Sequence, residues 1–292
     1  MLLLDRQRAT AAVVGAPPAA YFATSAVFHY LGPAFAVLLF ARLEPLGVAG
    51  LRIATAAVVL AAWRRPWRQS RTWSPATRRL VVGWGLVLAT MNVCFYEAIA
   101  RLPLGTVAAI EFVPVVVLAS LGARTPRNGL ALLAAVGGVA LLTDVRLEGE
   151  PVGVAFAAAN AVLFMLYIVL GHRVAAAGAR SGVDGLAASM LVAAVACTPL
   201  AAHAAAPALT APALLLAAIG VGIASSVVPY VADQLALARL PRATYALMVS
   251  LLPAIAVLTG LVVLQQVPHP AEAAGVALVV AGVALHRDPG PT

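Results

Sequence analysis

The chain has 292 residues, of which 63% are apolar and only 10% are charged. Soluble domains carry about 45–50% apolar and about 25% charged residues, so this little charge cannot cover the surface of a soluble protein. The formal net charge is +8; the chain contains no lysine, and all its arginines except Arg52 lie in short segments between apolar runs. That arrangement argues against nucleic-acid binding, which needs a basic face. The composition predicts an all-α integral membrane protein.

Apolar runs separated by charged or proline-rich breaks recur along the whole chain and predict ten transmembrane helices. A bilayer core takes about 20 helical residues, and a helix satisfies its own backbone groups in lipid. The predicted spans, in chain order, are 19–40, 46–62, 80–100, 104–121, 129–143, 152–171, 185–203, 212–235, 243–264 and 269–285.

The arginines predict the orientation of these spans. If the N-terminus is cytoplasmic, the arginine-rich segments 64–79 and 124–127 face the cytoplasm, and only Arg42, Arg101 and Arg146 lie in outside loops. Positive charge is enriched on the cytoplasmic side, so the N- and C-termini are both predicted inside a multi-pass protein of the cytoplasmic membrane. The chain's four tryptophans gather around the first cytoplasmic loop and suggest anchors at headgroup level; they are Trp63, Trp67, Trp73 and Trp84.

The acidic segment DVRLEGEP (144–151) lies almost at the midpoint and divides the chain into two units of five spans. Because five is odd, two similar halves, 1–143 and 152–292, would sit in the membrane upside down to each other, with 144–151 as an external linker. ARLPLGTVAAIEFVP (100–114) and ARLPRATYALMVSLLP (238–253) support the duplication. Inverted repeats are typical of secondary transporters, whose substrate sites lie near the membrane midplane.

Several stretches together resemble a known family: LGVAGLRIA (46–54), WRRPW (63–67), MNVCFYEAIARLPLGTVAAIEFVP (91–114), the run from Tyr167 to position 177, and VVPYVADQLALARLP (227–241). They resemble the EamA-type, ten-helix branch of the drug/metabolite transporter superfamily, and within it the inner-membrane threonine/homoserine exporters. The resemblance implies export of a small amino acid or related metabolite, coupled to protons. Glu97 departs from it, since an apolar residue is expected there.

Glu111 and Arg52 are ionisable residues inside predicted spans, seven and six residues from the outer ends of the fourth and second spans. Both therefore lie roughly 10 Å deep at about 1.5 Å per residue. Two interpretations are open. They form a fixed buried ion pair, or they line a wet cavity in which Arg52 holds the carboxylate of a zwitterion and Glu111 holds its ammonium or exchanges a proton.

Asp233 and His29 are the next candidates. Asp233 lies in the eighth span, where the family resemblance also places an acidic residue, and either carries protons or pairs with Arg239 or a carbonyl. His29 is alone in the first span and either shuttles protons or is a hydrogen-bonded interior histidine.

Three further polar residues are candidate cavity-lining groups, with interhelical hydrogen bonding as the alternative for each: Asn92 and Tyr96, four residues apart on one helix face, and Tyr167. Four prolines are predicted to break helical hydrogen bonds and free carbonyls for substrate or cations, or merely to bend their helices; they are Pro33, Pro114, Pro229 and Pro253. Glu97 and Arg101, four apart at a span end, are predicted to form a local ion pair.

Several function classes find no support in the sequence. It contains no GxxxxGK[ST] run for direct ATP use, no HExxH and no Cys/His metal-ligand spacing. No cofactor, metal or nucleic-acid partner is expected; the expected partners are a small zwitterionic substrate, protons and the bilayer. A transporter of drug-like or lipid-linked metabolites remains an alternative, and an intramembrane enzyme a remote one.

Overall fold

The computed structural model describes residues 17–122, 125–147, 150–176, 182–237 and 252–285, and all their regular elements are helical. The all-α prediction is confirmed for these residues. The long helices are α1 (Pro18–Leu39), α2 (Pro45–Arg64), α3 (Pro75–Ile99), α4 (Leu104–Gly122), α5 (Pro126–Leu147), α6 (Pro151–Ala176), α7 (Gly182–Thr210), α8 (Pro212–Gly222, a π-helical turn Ile223–Val227 and Val228–Leu237), α9 (Leu252–Leu264) and α10 (Pro270–Leu285).

Proline sets the start of most of these helices. Seven of them begin at a proline, a residue suited to the first helical position because its missing N–H has no partner there anyway. The start of α3 is also capped, since the Ser74 hydroxyl accepts the Thr77 N–H at 3.1 Å. A short helix, Pro66–Gln69, and a 3₁₀ turn, Ser70–Thr72, link α2 to α3.

The helix ends differ most from the prediction at α7. The predicted span stops at residue 203, but the helix continues through the interior prolines Pro199 and Pro207 to Thr210. Neighbouring groups can satisfy the carbonyls that proline frees, so proline is tolerated inside membrane helices. The first part of the predicted ninth span, 243–251, lies outside the described residues.

Six helical segments of the described chain are long and apolar enough to cross a membrane. They are Ala20–Leu39, Pro45–Arg64, Pro75–Ile99, Pro151–Val174, Gly182–Thr210 and Pro212–Asp233. Three shorter apolar segments, within α4, α9 and α10, accompany them: Leu104–Pro114, Leu252–Leu264 and Pro270–Gly282. Large apolar side chains also stand on the surface, for example Leu133 and Val195, which are 70% and 75% exposed. Together these features make the chain a multi-pass membrane protein.

The tryptophans divide into two pairs. Trp63 and Trp67 are 56% and 52% exposed, as an interfacial anchor requires. Trp73 and Trp84 are buried, so the expectation of four anchors is wrong for these two. The ring of Trp84 instead stacks on Tyr167, with centroids 5.6 Å apart.

Helices from the first and second parts of the chain pack in pairs: α2 on α7, α5 on α10, α3 on α6 and α1 on α8. The α2–α7 pair is antiparallel, because Gly47 contacts Ala204 while Gly50 contacts Ala201. The α5–α10 pair is antiparallel too, since Gly138 faces Gly275 and Gly282 faces Ala131. Small residues let helix backbones approach closely, and packing of this kind drives helix association in lipid.

Two ion pairs lie near helix ends. Arg101 donates to the Glu97 carboxylate at 2.5 Å, so the predicted local pair at the end of α3 is confirmed. Arg64, the last residue of α2, pairs with Asp184 in the first turn of α7. The second pair joins the same two helices that pack through Gly47 and Gly50.

Candidate functional site

A small cavity, open at one mouth, lies among α1, α2, α3, α4, α6 and α8. Its wall combines a carboxylate, a guanidinium, an imidazole and two amides with apolar and aromatic groups. A concave apolar wall with a few convergent polar groups is typical of small-molecule sites. Five predicted residues line it, His29, Pro33, Arg52, Asn92 and Glu111, together with Met91, Phe95, Asn160, Phe164 and Tyr230.

Glu111, on α4, is only 3% exposed. Asn160 of α6 donates from Nδ2 to its Oε1 at 3.0 Å. The other carboxylate oxygen, Oε2, has no hydrogen-bond partner among the described residues. A buried oxygen without a donor is costly, so Glu111 presents an acceptor that a proton or the N–H of a ligand would satisfy.

Arg52, on α2, is 4% exposed and is held by the π-helical turn of α8. Its Nε donates to the Ser226 hydroxyl and its Nη2 to the Ser225 carbonyl, both at 2.7 Å. The carbonyl is available because Pro229, four residues later, has no N–H to donate to it. The proline therefore frees a backbone acceptor, and an arginine from a distant part of the chain occupies it.

No ion pair joins Arg52 to Glu111, although both belong to the described residues. Each has its own hydrogen-bond partners, Arg52 on α8 and Glu111, through Oε1, on α6. The fixed buried pair, one of the two interpretations open from the sequence, is therefore not formed in this structure. The two side chains instead line one cavity without an ion pair between them.

Tyr96 and Asn92 share α3 but have different surroundings. The Arg52 guanidinium lies 5.2 Å from the centre of the Tyr96 ring, within the range of a cation–π interaction. The Tyr96 hydroxyl is buried and has no partner among the described residues. Asn92 lines the cavity, and its Nδ2 donates to the Leu88 carbonyl at 2.7 Å. Asn92 therefore reaches the cavity directly, whereas Tyr96 supports Arg52.

His29 lines the cavity from α1, one helical turn before Pro33. Its ring meets the buried Tyr30 ring edge-on, with centroids 5.2 Å apart. The structure thus places the histidine beside Arg52 and Glu111 on the cavity wall.

Asp233 lies on α8 and is partly buried, outside the set of residues that line the cavity. The Ser25 hydroxyl of α1 donates to its Oδ1 at 2.9 Å. Arg239, one of the partners considered from the sequence, lies outside the described residues. In the structure Asp233 links α8 to α1.

Tyr167 belongs to a group of stacked aromatic rings next to the cavity. Its ring stacks on Trp84, Phe164 and Tyr230, with centroids 5.6, 6.1 and 6.0 Å apart respectively. Phe164 and Tyr230 both line the cavity, so Tyr167 backs two wall residues.

The four prolines play different parts. Pro33 lines the cavity, and Pro114 lies inside α4, three residues after Glu111. Pro229 frees the carbonyl that binds Arg52. Pro253 is the second described residue of α9, so the helical turn that it would interrupt lies outside the described residues.

Sequence reasoning missed Asn160, Tyr230 and the serine pair of the π turn, Ser225 and Ser226. Asn160 had a usable signal, since it is the one amide in the apolar run 152–171, and the argument applied to Asn92 fits it equally. The two serines stand just before a predicted helix-breaking proline. Their contact with Arg52 depends on the packing of two helices distant in sequence.

A metal centre finds no support in the described part of the chain, where no three His, Cys, Asp or Glu side chains form a group able to hold an ion. Cys94 and Cys197 are free and buried.

The EamA-like transporter family model matches residues 151–287. The threonine/homoserine exporter RhtA of Salmonella typhimurium strain SL1344 is 31% identical over 238 residues, covering 80% of this chain and 79% of the relative. RhtA of Escherichia coli K12 is 30% identical over 253 residues, covering 86% and 84%. One solved crystal structure aligns with 91% of this chain and 95% of its own at a TM-score of 0.58 and 21% identity, which concerns the fold alone.

These relatives are exporters and not enzymes, in agreement with the prediction that this chain is not an enzyme. The transporter kinship implies a small-molecule substrate. The family resemblance noted from 46–54, 91–114 and 227–241 is confirmed by identity over most of the chain. The chain therefore belongs to the EamA-like transporter family.

Proposed function

We propose that this protein is a secondary active transporter that exports a small amino acid, such as threonine or homoserine, across the cytoplasmic membrane in exchange for protons. The observation that carries the proposal is the cavity in which Arg52 and Glu111 stand as separate charges. The names of the two bacterial relatives supply the substrate class.

A zwitterion matches the two charges of the cavity. Arg52 has Nε and Nη2 occupied by α8, while its Nη1 has no partner among the described residues and is free to donate to a carboxylate. Glu111 keeps one acceptor oxygen for an ammonium group. Both ends of an amino acid therefore meet a complementary charge inside the cavity.

Proton exchange follows from competition at Glu111. Its carboxylate holds either a substrate ammonium or a proton, so release of one favours binding of the other. Intramembrane ionisable residues commonly serve such relays. Arg52 faces the same cavity and acts on this equilibrium through its charge. His29, on the same wall, is a candidate proton shuttle, and Asp233 is a second proton-carrying candidate from α8.

Alternating access would come from two inverted five-helix repeats, 1–143 and 152–292, joined by an external linker, 144–151. The packing pattern supports this arrangement. If the halves are equivalent, each helix of α1–α5 corresponds to the helix five places later, so that α1 corresponds to α6 and α3 to α8. The α3–α6 contact then corresponds to the α8–α1 contact, while α2–α7 and α5–α10 each correspond to themselves. All four contacts are observed. The two pairs that correspond to themselves run antiparallel, which inverted halves require.

The proposed orientation, with both termini in the cytoplasm, rests on the arginine distribution. The end of α2 and the start of α7, joined by the Arg64–Asp184 pair, would then lie at the cytoplasmic side. The pair would hold the inner ends of the two halves together.

Transport in proteoliposomes tests the proposal. Vesicles loaded with radiolabelled L-threonine or L-homoserine should lose label faster with the full chain than without it. An acidic exterior should accelerate the loss further. Transport that ignores the pH gradient would contradict proton exchange. Transport of lipophilic dyes without amino-acid flux would favour the drug-like alternative.

A further inference from the structure

We infer that Asn160 and Glu111 together form a subsite for a primary ammonium group, and that Asn160 determines selectivity for unmethylated amines. The inference rests on the proposed function for the identity of the transported substrate. The inference adds a second, neutral hydrogen-bond acceptor, the side-chain oxygen of Asn160, which belongs to the second half of the chain.

The geometry of the two side chains carries the inference. Asn160 is fully buried and lines the cavity, and its Nδ2 donates to Glu111 Oε1 at 3.0 Å. The oxygen that remains on each group, Asn160 Oδ1 and Glu111 Oε2, has no partner among the described residues. Two buried acceptors thus share one part of the wall, and both lack a donor.

A primary ammonium supplies what these oxygens lack. It carries three N–H donors, so it can bind both oxygens and keep one donor for a third group. Each methyl group on the nitrogen removes one donor and adds volume. A tertiary ammonium keeps a single N–H and must leave at least one of the two buried oxygens unpaired, which is costly.

The hydrogen bond between the two side chains also fixes the amide orientation. Since Nδ2 faces the carboxylate, the amide presents its oxygen, and not its NH₂, to a bound donor. A neutral acceptor at this position avoids the repulsion that a second carboxylate beside Glu111 would introduce. Asn160 therefore extends the acceptor surface without adding charge.

The subsite spans two helices that the proposed alternating access would move apart. Glu111 belongs to α4 and Asn160 to α6, so both acceptors are present together only while these helices keep their present contact. Binding of an ammonium would then favour this arrangement of the halves.

Direct binding to the purified full chain tests the inference independently of transport. The probes are 1-amino-2-propanol, which has the ammonium of threonine without its carboxylate, and its N,N-dimethyl derivative. Wild type should bind the primary amine about tenfold more tightly, the effect of about one charged hydrogen bond. In Asn160→Leu this preference should fall close to one.

The control is Asn128→Leu, which removes another buried asparagine, on α5, that is absent from the cavity lining. It should lower thermal stability and leave the preference unchanged. Asn160→Ala serves as the second variant if Asn160→Leu cannot be purified. An amide that only joins helices would affect both probes equally, so a retained preference in the Asn160 variants overturns the subsite.

Two results separate this inference from the proposed function. A wild-type protein that prefers the primary amine through Asn160 but moves no threonine supports the subsite and rejects the transport proposal. A wild-type protein that exports threonine yet binds both probes equally rejects the subsite alone.

Discussion

Helices from the first part of the chain, α1–α5, contact helices from the second part, α6–α10, in two contrasting ways. Along α2 and α7 the backbones touch, because Gly47 and Gly50 lie directly against Ala204 and Ala201. Around the cavity the segments meet through single polar contacts, such as Asn160 with Glu111 and Arg52 with Ser226. The same helix, α2, takes part in both contacts.

The difference separates what holds the protein together from what can change during transport. Close packing of small residues has no alternative arrangement without loss of contact, so α2 and α7 are expected to move as one unit. A buried hydrogen bond can be replaced by a hydrogen bond to a ligand or to water, or an acceptor can be protonated, at little net cost. The α2–α7 contact should govern stability, and the cavity contacts should govern flux.

The largest expected effect is at the packed contact. A Cβ at Gly47 would overlap the Ala204 carbonyl, so Gly47→Leu should destabilise the protein by about 3 kcal/mol, through overpacking. Thermal unfolding in detergent measures the loss. Gly220→Leu on α8 is the matched control, since a Cβ there meets no described atom within 4 Å. Equal melting temperatures for the two variants would contradict the comparison.

The next effect is at the carboxylate of the cavity. Glu111→Gln keeps the shape and removes the charge and the exchangeable proton, so gradient-driven L-threonine efflux should fall about a hundredfold, equivalent to ~2.7 kcal/mol. The melting temperature should change far less than in Gly47→Leu. Initial efflux rates with and without an acidic exterior measure the effect. Unchanged gradient-dependent efflux would remove Glu111 from the coupling mechanism.

A smaller effect is expected at the arginine. Lysine cannot donate to the Ser226 hydroxyl and the Ser225 carbonyl in the fork geometry of arginine, so Arg52→Lys should raise the half-saturating concentration about tenfold. Concentration dependence of counterflow measures it. Arg101→Lys, at an exposed helix end, is the control and should leave the value unchanged. The same shift in both variants would show a general effect of replacing arginine.

The smallest effect is at the ion pair of α3. Glu97 and Arg101 form an exposed pair four residues apart, and such pairs contribute less than about 0.5 kcal/mol. Glu97→Gln should therefore leave both the melting temperature and L-threonine efflux close to wild type. A large loss of transport in this variant would place Glu97 in the substrate path and refute its role as a local pair.

The helices were predictable from the sequence because lipid imposes a simple length rule. Apolar runs and the prolines before them located α1 to α6 within a few residues of their observed ends. The rule failed at the end of α7, where Pro207 does not stop the helix. A proline ends a helix only if the freed carbonyl finds no other partner, and that depends on neighbouring helices.

For the candidate site, counting residues predicts that Arg52 and Glu111 lie at one level of the membrane, and the structure places both on the wall of one cavity. The count does not give the side of each helix on which they stand. The observed partners, Ser226 and Asn160, come from helices distant in sequence. The π-helical turn likewise depends on a contact between helices distant in sequence, because the Arg52 guanidinium of α2 donates a hydrogen bond to the Ser225 carbonyl of the turn.

The π-helical turn also determines the direction in which the side chains of α8 after residue 227 point. An α-helix advances 100° per residue, and a π turn accommodates one residue more than an α turn does. Tyr230 reaches the cavity, and Asp233 reaches Ser25, only with this extra residue in place. Deleting one residue between 223 and 227 would rotate the rest of α8 by about 100°, carrying both side chains away from their neighbours while leaving every amino acid of the wall intact.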